Sequence, residues 1–144
     1  MTIQLRQIAF VEFERRVHDE RRQSELTADR INQIWIDVQG ESLGPALRFD
    51  DEYKYYWTYI PHFIHTRFYT YAYAFAHLAS LTLYALYRED GDAFTGPYLD
   101  FLGTGGAASP GEQLGAFGID LADAATWSRG LDEMERMLDL AIAG

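Results

Sequence analysis

The sequence contains no cysteine among its 144 residues. This absence excludes disulfide frameworks, thiol catalysis, zinc fingers and iron–sulfur ligation, and it favours a reducing compartment. Residues 1–30 also lack the apolar stretch that a secretory signal peptide needs, and they carry six arginines. We therefore expect a cytoplasmic protein whose fold is held together by packing alone.

Basic side chains are scarce, because 12 Lys and Arg stand against 22 Asp and Glu, for a formal charge of −10. Most of the acidic excess lies in residues 49–144, which hold 5 basic and 14 acidic groups. Nucleic acids and anionic membranes would be repelled by such a chain. We expect neither nucleic acid nor a membrane as a partner.

The chain also lacks flexible linkers and internal repeats, and Gly, Pro, Asp and Ser divide it into about six helical segments, or seven when the short aromatic one after Asp50 is counted. We predict an all-α fold, a single helical domain over residues 1–144 built around a central aromatic-rich helix. The predicted helices run from Thr2 to about Gln23, from the N-cap Thr27 to residues 40–45, from Asp50 to a stop at Pro61, over Phe68–Tyr87, beyond Gly91 to residues 103–106, from the capping box Ser109–Glu112 to Gly118, and from about Asp123 onward.

The first and last of these helices show the clearest apolar faces. The first has Ile3, Phe10, Phe13 and Val17 on one face. The last has Trp127, Leu131, Met134 and Leu138 on one stripe and acidic residues on a face that we expect to be solvated.

The segment Phe68–Tyr87 has no charged residue over 20 positions, so by length alone it is a candidate membrane span. Its hydroxyl groups and the imidazole of His77 in mid-segment argue against lipid. The composition favours a central buried helix with one face in contact with water.

Complete metal-binding and phosphate-binding motifs are missing from the chain. There is no H-E-x-x-H and no E-x-x-H, and the glycines at 103–106 lack the Gly-Lys-Ser/Thr of a phosphate loop. Residues 40–44 match the letters of G-x-S-x-G, but they follow a predicted helix and not the strand that a nucleophile elbow needs. His62 and His65 form an H-x-x-H pair beside Pro61, which is weak evidence for a metal, because ordinary turn histidines give the same spacing. We expect no metal site made by this chain alone.

Three tyrosines, Tyr69, Tyr71 and Tyr73, follow the histidine pair closely. Their phenol O–H groups could stabilise a developing oxyanion, or they could simply pack in the core. On a helix, positions i, i+2 and i+4 point to different sides, so at most two of the three can face one cleft. The residues alone thus indicate a helical domain with a His/Tyr-rich element and no complete active site.

A longer pattern runs from Tyr59 to Phe75 and extends in both directions along the chain. It continues in Arg6–Glu14, Leu26-Thr27 with Trp35, Tyr98–Leu102, Gly105-Gly106, Ser109-Pro110 and Phe117–Asp120. In this order, and over nearly all of the chain, these segments resemble the C-terminal part of the oligoendopeptidase F family, zinc metallopeptidases related to thimet oligopeptidase.

The resemblance implies a mostly helical portion of a peptidase catalytic domain that acts on short peptides. In the complete enzyme an H-E-x-x-H motif and a downstream Glu hold zinc, and these ligands would lie before Met1, outside this chain. The resemblance assigns His62 to the transition state and Tyr69 and Tyr71 to the scissile carbonyl oxygen as catalytic residues. It makes His65 and Tyr73 candidates for substrate binding. We add Arg67, where the chain departs from the family, as a third substrate-binding candidate.

The chain departs from the family at two places. Arg67 stands where the family usually has Pro, and Ala76-His77 replaces a Gly followed by a small or acidic residue. An added arginine beside the cleft would alter peptide preference or the shape of the loop.

Two functional hypotheses follow from the resemblance. In the first, the chain is the C-terminal, substrate-facing portion of a zinc oligoendopeptidase, inactive alone and dependent on the zinc-binding portion as its partner. In the second, it is a stand-alone, catalytically inactive peptide-binding module derived from such a peptidase, whose exposed apolar surface is covered by homodimerisation.

Overall fold

A computed structural model describes residues 2–144, and all of their side chains except those of Thr2, Ile3 and Ala46. Over the described residues the chain forms seven α-helices and two 3-10 helices, with no β-strand. The α-helices are α1 Thr2–Arg21, α2 Ala28–Leu43, α3 His62–His65, α4 Tyr71–Asp90, α5 Asp92–Thr104, α6 Pro110–Gly115 and α7 Ala124–Ala143, and the 3-10 helices span Gly44–Ala46 and Asp51–Tyr59. The predicted all-α fold is confirmed.

The residues group into two compact units, an N-terminal unit, Met1–Phe75, and a C-terminal unit, Ala76–Gly144. The boundary falls inside α4. The expectation of a single domain stays a prediction.

The core of the N-terminal unit lies between α1 and α2. Phe10 and Phe13 of α1 meet Trp35 of α2 at ring-centroid distances of 5.6 and 5.2 Å, and Trp35 is fully buried. Thr27 caps α2 as predicted, because its hydroxyl accepts a hydrogen bond from the Arg30 backbone N–H at 3.2 Å. The core is completed by Ala9, Ile34, Val38 and Ile60. The apolar spacing in the sequence therefore identified both helices and their buried faces, apart from Ile3, whose side chain lies outside the described set.

The aromatic helix predicted after Asp50 is a 3-10 helix of nine residues, Asp51–Tyr59. Such helices rarely exceed four residues, and side chains three positions apart eclipse along them. Here that spacing stacks Tyr53 on Tyr56 at 5.4 Å and places Tyr56 against Tyr59 at 5.6 Å with the rings tilted by 41°. Phe49, four residues before Tyr53 and outside the helix, stacks on Tyr53 at 4.7 Å. Asp50 occupies the N-cap position, but its side chain makes no capping hydrogen bond. The ladder of rings therefore supports this length of 3-10 helix.

Helix α4 begins at Tyr71 and ends at Asp90, three residues later at each end than the charge-free segment predicts. Phe68 has φ of 57°, in the left-handed region, which an α-helix cannot include. Within the described part of the chain, no helix is long and apolar enough to cross a membrane.

The C-terminal unit contains the predicted capping box. The Ser109 hydroxyl accepts from the Glu112 backbone N–H, and the Glu112 carboxylate accepts from the Ser109 backbone N–H at 2.9 Å. The helix predicted to run to Gly118 ends at Gly115, and a turn continues to Gly118, whose φ is 71°. The capping box and the stop at Gly118 depend on local sequence, which is why the sequence predicted them.

Two features of α7 differ from its predicted pattern. Glu133, assigned to a solvated face, is buried and bonds to Arg88 at 2.8 Å and to Arg136, while Leu131 is 52% exposed. Gly130 lies so close to α4 that a Cβ there would be 2.8 Å from Thr82 Oγ1. Gly130 and Glu133 therefore face α4, where the glycine permits a close backbone approach and Arg88 pairs with the carboxylate.

Candidate functional site

Helix α3, a single turn, holds the histidine pair on the surface of the N-terminal unit. Ile60 before it is buried in the core, and Phe63 within it packs on the rings of Phe10 and Phe13 at 5.3 and 4.9 Å. These apolar anchors leave His62 half-buried and His65 exposed. The segment after Pro61, which the sequence predicts to end the preceding helix, is thus a short helix with one face fixed in the core.

His62 forms a compact group with two of the three tyrosines, which we call the His–Tyr cluster: His62, Tyr69 and Tyr73. The Nε2 atom of His62 lies 2.9 Å from the Tyr73 hydroxyl. The Tyr69 ring lies parallel to the imidazole, at 5° and a centroid distance of 6.0 Å. The Tyr73 ring stands edge-on to His62 and Tyr69, at 86° and 90°. Each ring therefore limits the orientations of the other two.

The cluster is open to solvent on one side, since Tyr69 and Tyr73 keep 47% and 39% of their surfaces exposed. The Tyr69 hydroxyl has no hydrogen-bond partner within residues 2–144, whereas the Tyr73 hydroxyl is engaged with His62. The cluster thus presents one oriented imidazole and one free phenol donor to a ligand.

The other residues assigned from the sequence lie outside this contact set. Tyr71, at the start of α4, is 58% exposed and makes no ring contact or hydrogen bond with the cluster among the described residues. His65 and Arg67 are exposed, and neither forms an ion pair in the described part of the chain. The structure brings together His62, Tyr69 and Tyr73, and it leaves Tyr71, His65 and Arg67 beside them on the surface.

The alternative in which a tyrosine of this set packs in the core is wrong, because all three are exposed. Tyr69 precedes the first residue of α4, so the helical spacing argument does not apply between it and the other two. Tyr69 and Tyr73 contact the same histidine across the start of the helix, as two of the three tyrosines were expected to do.

Glu14 is a residue of this site that the sequence reasoning missed. It is 3% exposed, and its Oε1 accepts from the Phe68 backbone N–H at 2.9 Å. Its Oε2 accepts from the Thr70 hydroxyl at 3.3 Å. The available signal was spacing, because Glu14 lies four residues after Phe10 and so falls on the apolar face of α1.

The described residues do not fit a zinc site of their own. Among them, no group of three or more His, Asp or Glu side chains lies close enough to hold a metal ion. A catalytic zinc needs three protein ligands and an open position. The metal implied by the resemblance would require ligands from outside this set.

Comparison with known proteins finds similarity to peptidases in each case. The model of peptidase family M3 matches residues 2–133. Oligopeptidase PepF of Bacillus subtilis is 30% identical over 141 residues, which cover 92% of this chain and 21% of that protein. An oligoendopeptidase F homolog of Borreliella burgdorferi is 32% identical over 122 residues, covering 84% of this chain and 20% of the relative.

A solved structure shares the fold. The crystal structure of a protein described as a peptidase, from Chlamydophila abortus, superposes with a TM-score of 0.79 at 28% identity, over 94% of this chain and 23% of that one. The chain spans about a fifth of the length of the two relatives above.

Proposed function

Because the chain belongs to peptidase family M3, we propose that it is the substrate-facing, C-terminal portion of a zinc-dependent oligoendopeptidase that hydrolyses short peptides. The observation that carries the proposal is the 2.9 Å bond between His62 Nε2 and the Tyr73 hydroxyl, beside the exposed Tyr69 ring. The match to only about a fifth of each relative supports a division in which another portion holds the zinc ligands.

The proposed role of the His–Tyr cluster is to stabilise charge on the substrate carbonyl oxygen. Hydrolysis of a peptide bond places negative charge on that oxygen in the transition state, and preorganised donors at about 2.7–3.1 Å lower its energy. His62 is oriented by Tyr73, and the Tyr69 hydroxyl is free to donate. Of the two tyrosines that the resemblance assigns to this oxygen, Tyr69 is favoured over Tyr71 because it alone contacts His62.

The proposed role of the flanking residues is to bind the peptide chain. Arg67 is an exposed guanidinium with no carboxylate partner in the described part of the chain. Guanidinium groups bind carboxylates through paired, charge-assisted hydrogen bonds. We place the terminal carboxylate of a short peptide, or an acidic side chain, at Arg67, and we keep His65 and Tyr71 as neighbouring peptide contacts.

A chimera tests the proposal directly. The chain replaces the matching segment of the Bacillus subtilis oligopeptidase, and hydrolysis of a quenched fluorescent peptide is measured with and without zinc. We expect the chimera to hydrolyse the peptide only with zinc. We also expect His62→Gln and Tyr69→Phe each to lower its kcat about 100-fold or more. Tyr55→Phe is the matched control, because Tyr55 is exposed on the 3-10 helix and stays outside the proposed site. A folded chimera that gives no hydrolysis while the parent enzyme is active would refute the proposal.

The second candidate, a catalytically inactive peptide-binding module that forms homodimers, is favoured by one observation. Apolar side chains of α7 are exposed, among them Leu140 at 60% and Ile142 at 83%. A second copy would cover them. Light scattering of the 144-residue chain separates the candidates, because a monodisperse monomer contradicts the dimer. The cytoplasmic location stays a prediction.

A further inference from the structure

A buried carboxylate lies behind the His–Tyr cluster. Glu14 projects from α1 and reaches residues 54 and 56 positions later, the Phe68 N–H and the Thr70 hydroxyl. Thr70 is fully buried and Glu14 nearly so. Within residues 2–144 Glu14 has no cationic partner. Burying a carboxylate is unfavourable unless hydrogen bonds compensate, and both bonds go to one short segment.

That segment has an unusual backbone. Phe68 has φ of 57°, which is disfavoured for any residue with a Cβ and persists only where the surroundings impose it. The N–H of this residue is the one that Glu14 binds, and its ring contacts His18 at 4.7 Å, one turn further along α1. Helix α1 therefore holds both the backbone and the side chain of Phe68.

The same segment carries Tyr69, between the two residues that Glu14 binds. Since Phe68 and Thr70 are both fixed to α1, the Cα of Tyr69 has little freedom, and its ring is directed onto His62. We propose that Glu14 is a positioning residue of the site: it never touches substrate, and it holds Phe68–Thr70 so that Tyr69 stacks on His62. The catalytic consequence of this inference rests on the function proposed above.

A conservative variant separates this role from simple packing. In Glu14→Gln an oxygen remains to accept from Phe68, and the amide N–H can donate to the Thr70 oxygen. Glu14→Ala keeps neither partner. Gln is therefore expected to preserve the position of Tyr69, whereas Ala releases it.

The first experiment measures geometry in the full 144-residue chain. NMR records the ring signals of His62, assigned with His62→Gln, and the hydrogen exchange of the Phe68 amide. We expect Glu14→Ala to move the His62 ring signals to the values found in Tyr69→Leu, and to speed Phe68 exchange about 10-fold or more. Glu14→Gln should keep both near wild type. The matched control is Glu20→Ala, which removes a carboxylate of α1 that pairs with Arg30.

The outcome that overturns the inference is a folded Glu14→Ala chain with unchanged His62 signals and unchanged Phe68 exchange. If that variant does not fold, Thr70→Val decides, because it removes one of the two bonds at nearly constant volume. An intermediate displacement in Thr70→Val supports the inference, and no change in either signal overturns it.

A second experiment keeps this inference distinct from the proposed function. In the chimera, Glu14→Ala should lower kcat about 10- to 100-fold with a much smaller change in KM, and Glu14→Gln should restore most of it. A chimera that depends on His62 but not on Glu14 contradicts the inference alone. If Glu14→Ala moves the His62 ring signals in the chain, but His62→Gln leaves kcat of the chimera unchanged, the result contradicts the proposed function alone.

Discussion

The hydroxyl of Tyr73 lies 2.9 Å from Nε2 of His62, and this bond joins the first turn of α4 to the first residue of α3. The resemblance to the family gives His62 a catalytic role and Tyr73 a substrate-binding one. The geometry gives Tyr73 a further task, because a hydrogen bond to one ring nitrogen limits the rotation of the imidazole.

Removing the Tyr73 hydroxyl should therefore affect catalysis more than removing that of Tyr71. We expect Tyr73→Phe to lower kcat of the chimera about 10-fold, the equivalent of about 1.4 kcal/mol for one hydrogen bond. Tyr71→Phe, which breaks no contact with His62, should cost less than about 3-fold on the same scale. A larger loss of kcat with Tyr71→Phe than with Tyr73→Phe would indicate that Tyr71 stabilises the oxyanion.

Neutralising Arg67 should change peptide preference more than turnover. For a peptide with a free C-terminal carboxylate, Arg67→Gln should raise KM about 10-fold, because a charge-assisted hydrogen bond is lost. For the same peptide with a C-terminal amide, KM should hardly change. Equal changes for the acid and the amide would show that Arg67 does not bind the carboxylate.

The sequence predicted those parts of the fold that depend on neighbouring residues. Thr27, Ser109 with Glu112, and Gly118 act within one turn of their own positions, so spacing and residue type were sufficient. The core of α1 and α2 followed in the same way from apolar residues at helical intervals.

The arrangement of the site could not be predicted in this way. Whether Tyr69 or Tyr71 meets His62 depends on where α4 begins, and that depends on the left-handed backbone of Phe68, held by Glu14. Glu133 shows the same limit, because its burial requires Arg88, 45 residues away. Contacts between distant segments leave little trace in local periodicity.

The stability of the chain should fall at acid pH through Glu12. Hydrogen bonding from Arg15, with a further contribution from Arg16, lowers the pKa of Glu12 from 4.5 to about 2. Because the folded pKa lies below the unfolded one, the stabilisation is complete above the unfolded pKa and disappears as pH falls through the folded one.

Glu12→Gln tests this pH dependence. The variant should be less stable than wild type at pH 7 by about 0.5–1 kcal/mol, and the difference should vanish near pH 2. Urea unfolding at several pH values and low salt measures it. Glu25→Gln is the control, because Glu25 is exposed and should leave the pH profile unchanged. A pH-independent difference for Glu12→Gln would contradict the assignment.

Adding a methyl group at Gly130 should destabilise the C-terminal unit. The new Cβ would lie 2.8 Å from Thr82 Oγ1 and 2.9 Å from the Leu78 carbonyl oxygen, so α4 and α7 would have to separate. We expect Gly130→Ala to lower the free energy of unfolding by about 1–3 kcal/mol. Gly103→Ala, at a helical glycine where an added Cβ would meet nothing within 4 Å beyond its own helix backbone and chain neighbours, should be neutral or stabilise by up to about 1 kcal/mol. If Gly130→Ala and Gly103→Ala change the free energy of urea unfolding equally, the contact between α4 and α7 at Gly130 does not limit the size of the residue there.

The bonds of Glu14 also bear on the order in which the N-terminal unit folds. Helices α1 and α2 are neighbours in the chain and can pair early, whereas the contacts from Glu14 to Phe68 and Thr70 close loops spanning 54 and 56 residues. Closing long loops costs chain entropy before any contact compensates for it. The segment that carries Tyr69 is thus expected to order last in this unit and to open first, so that local unfolding there would disable the cluster while the α1–α2 pair stays intact.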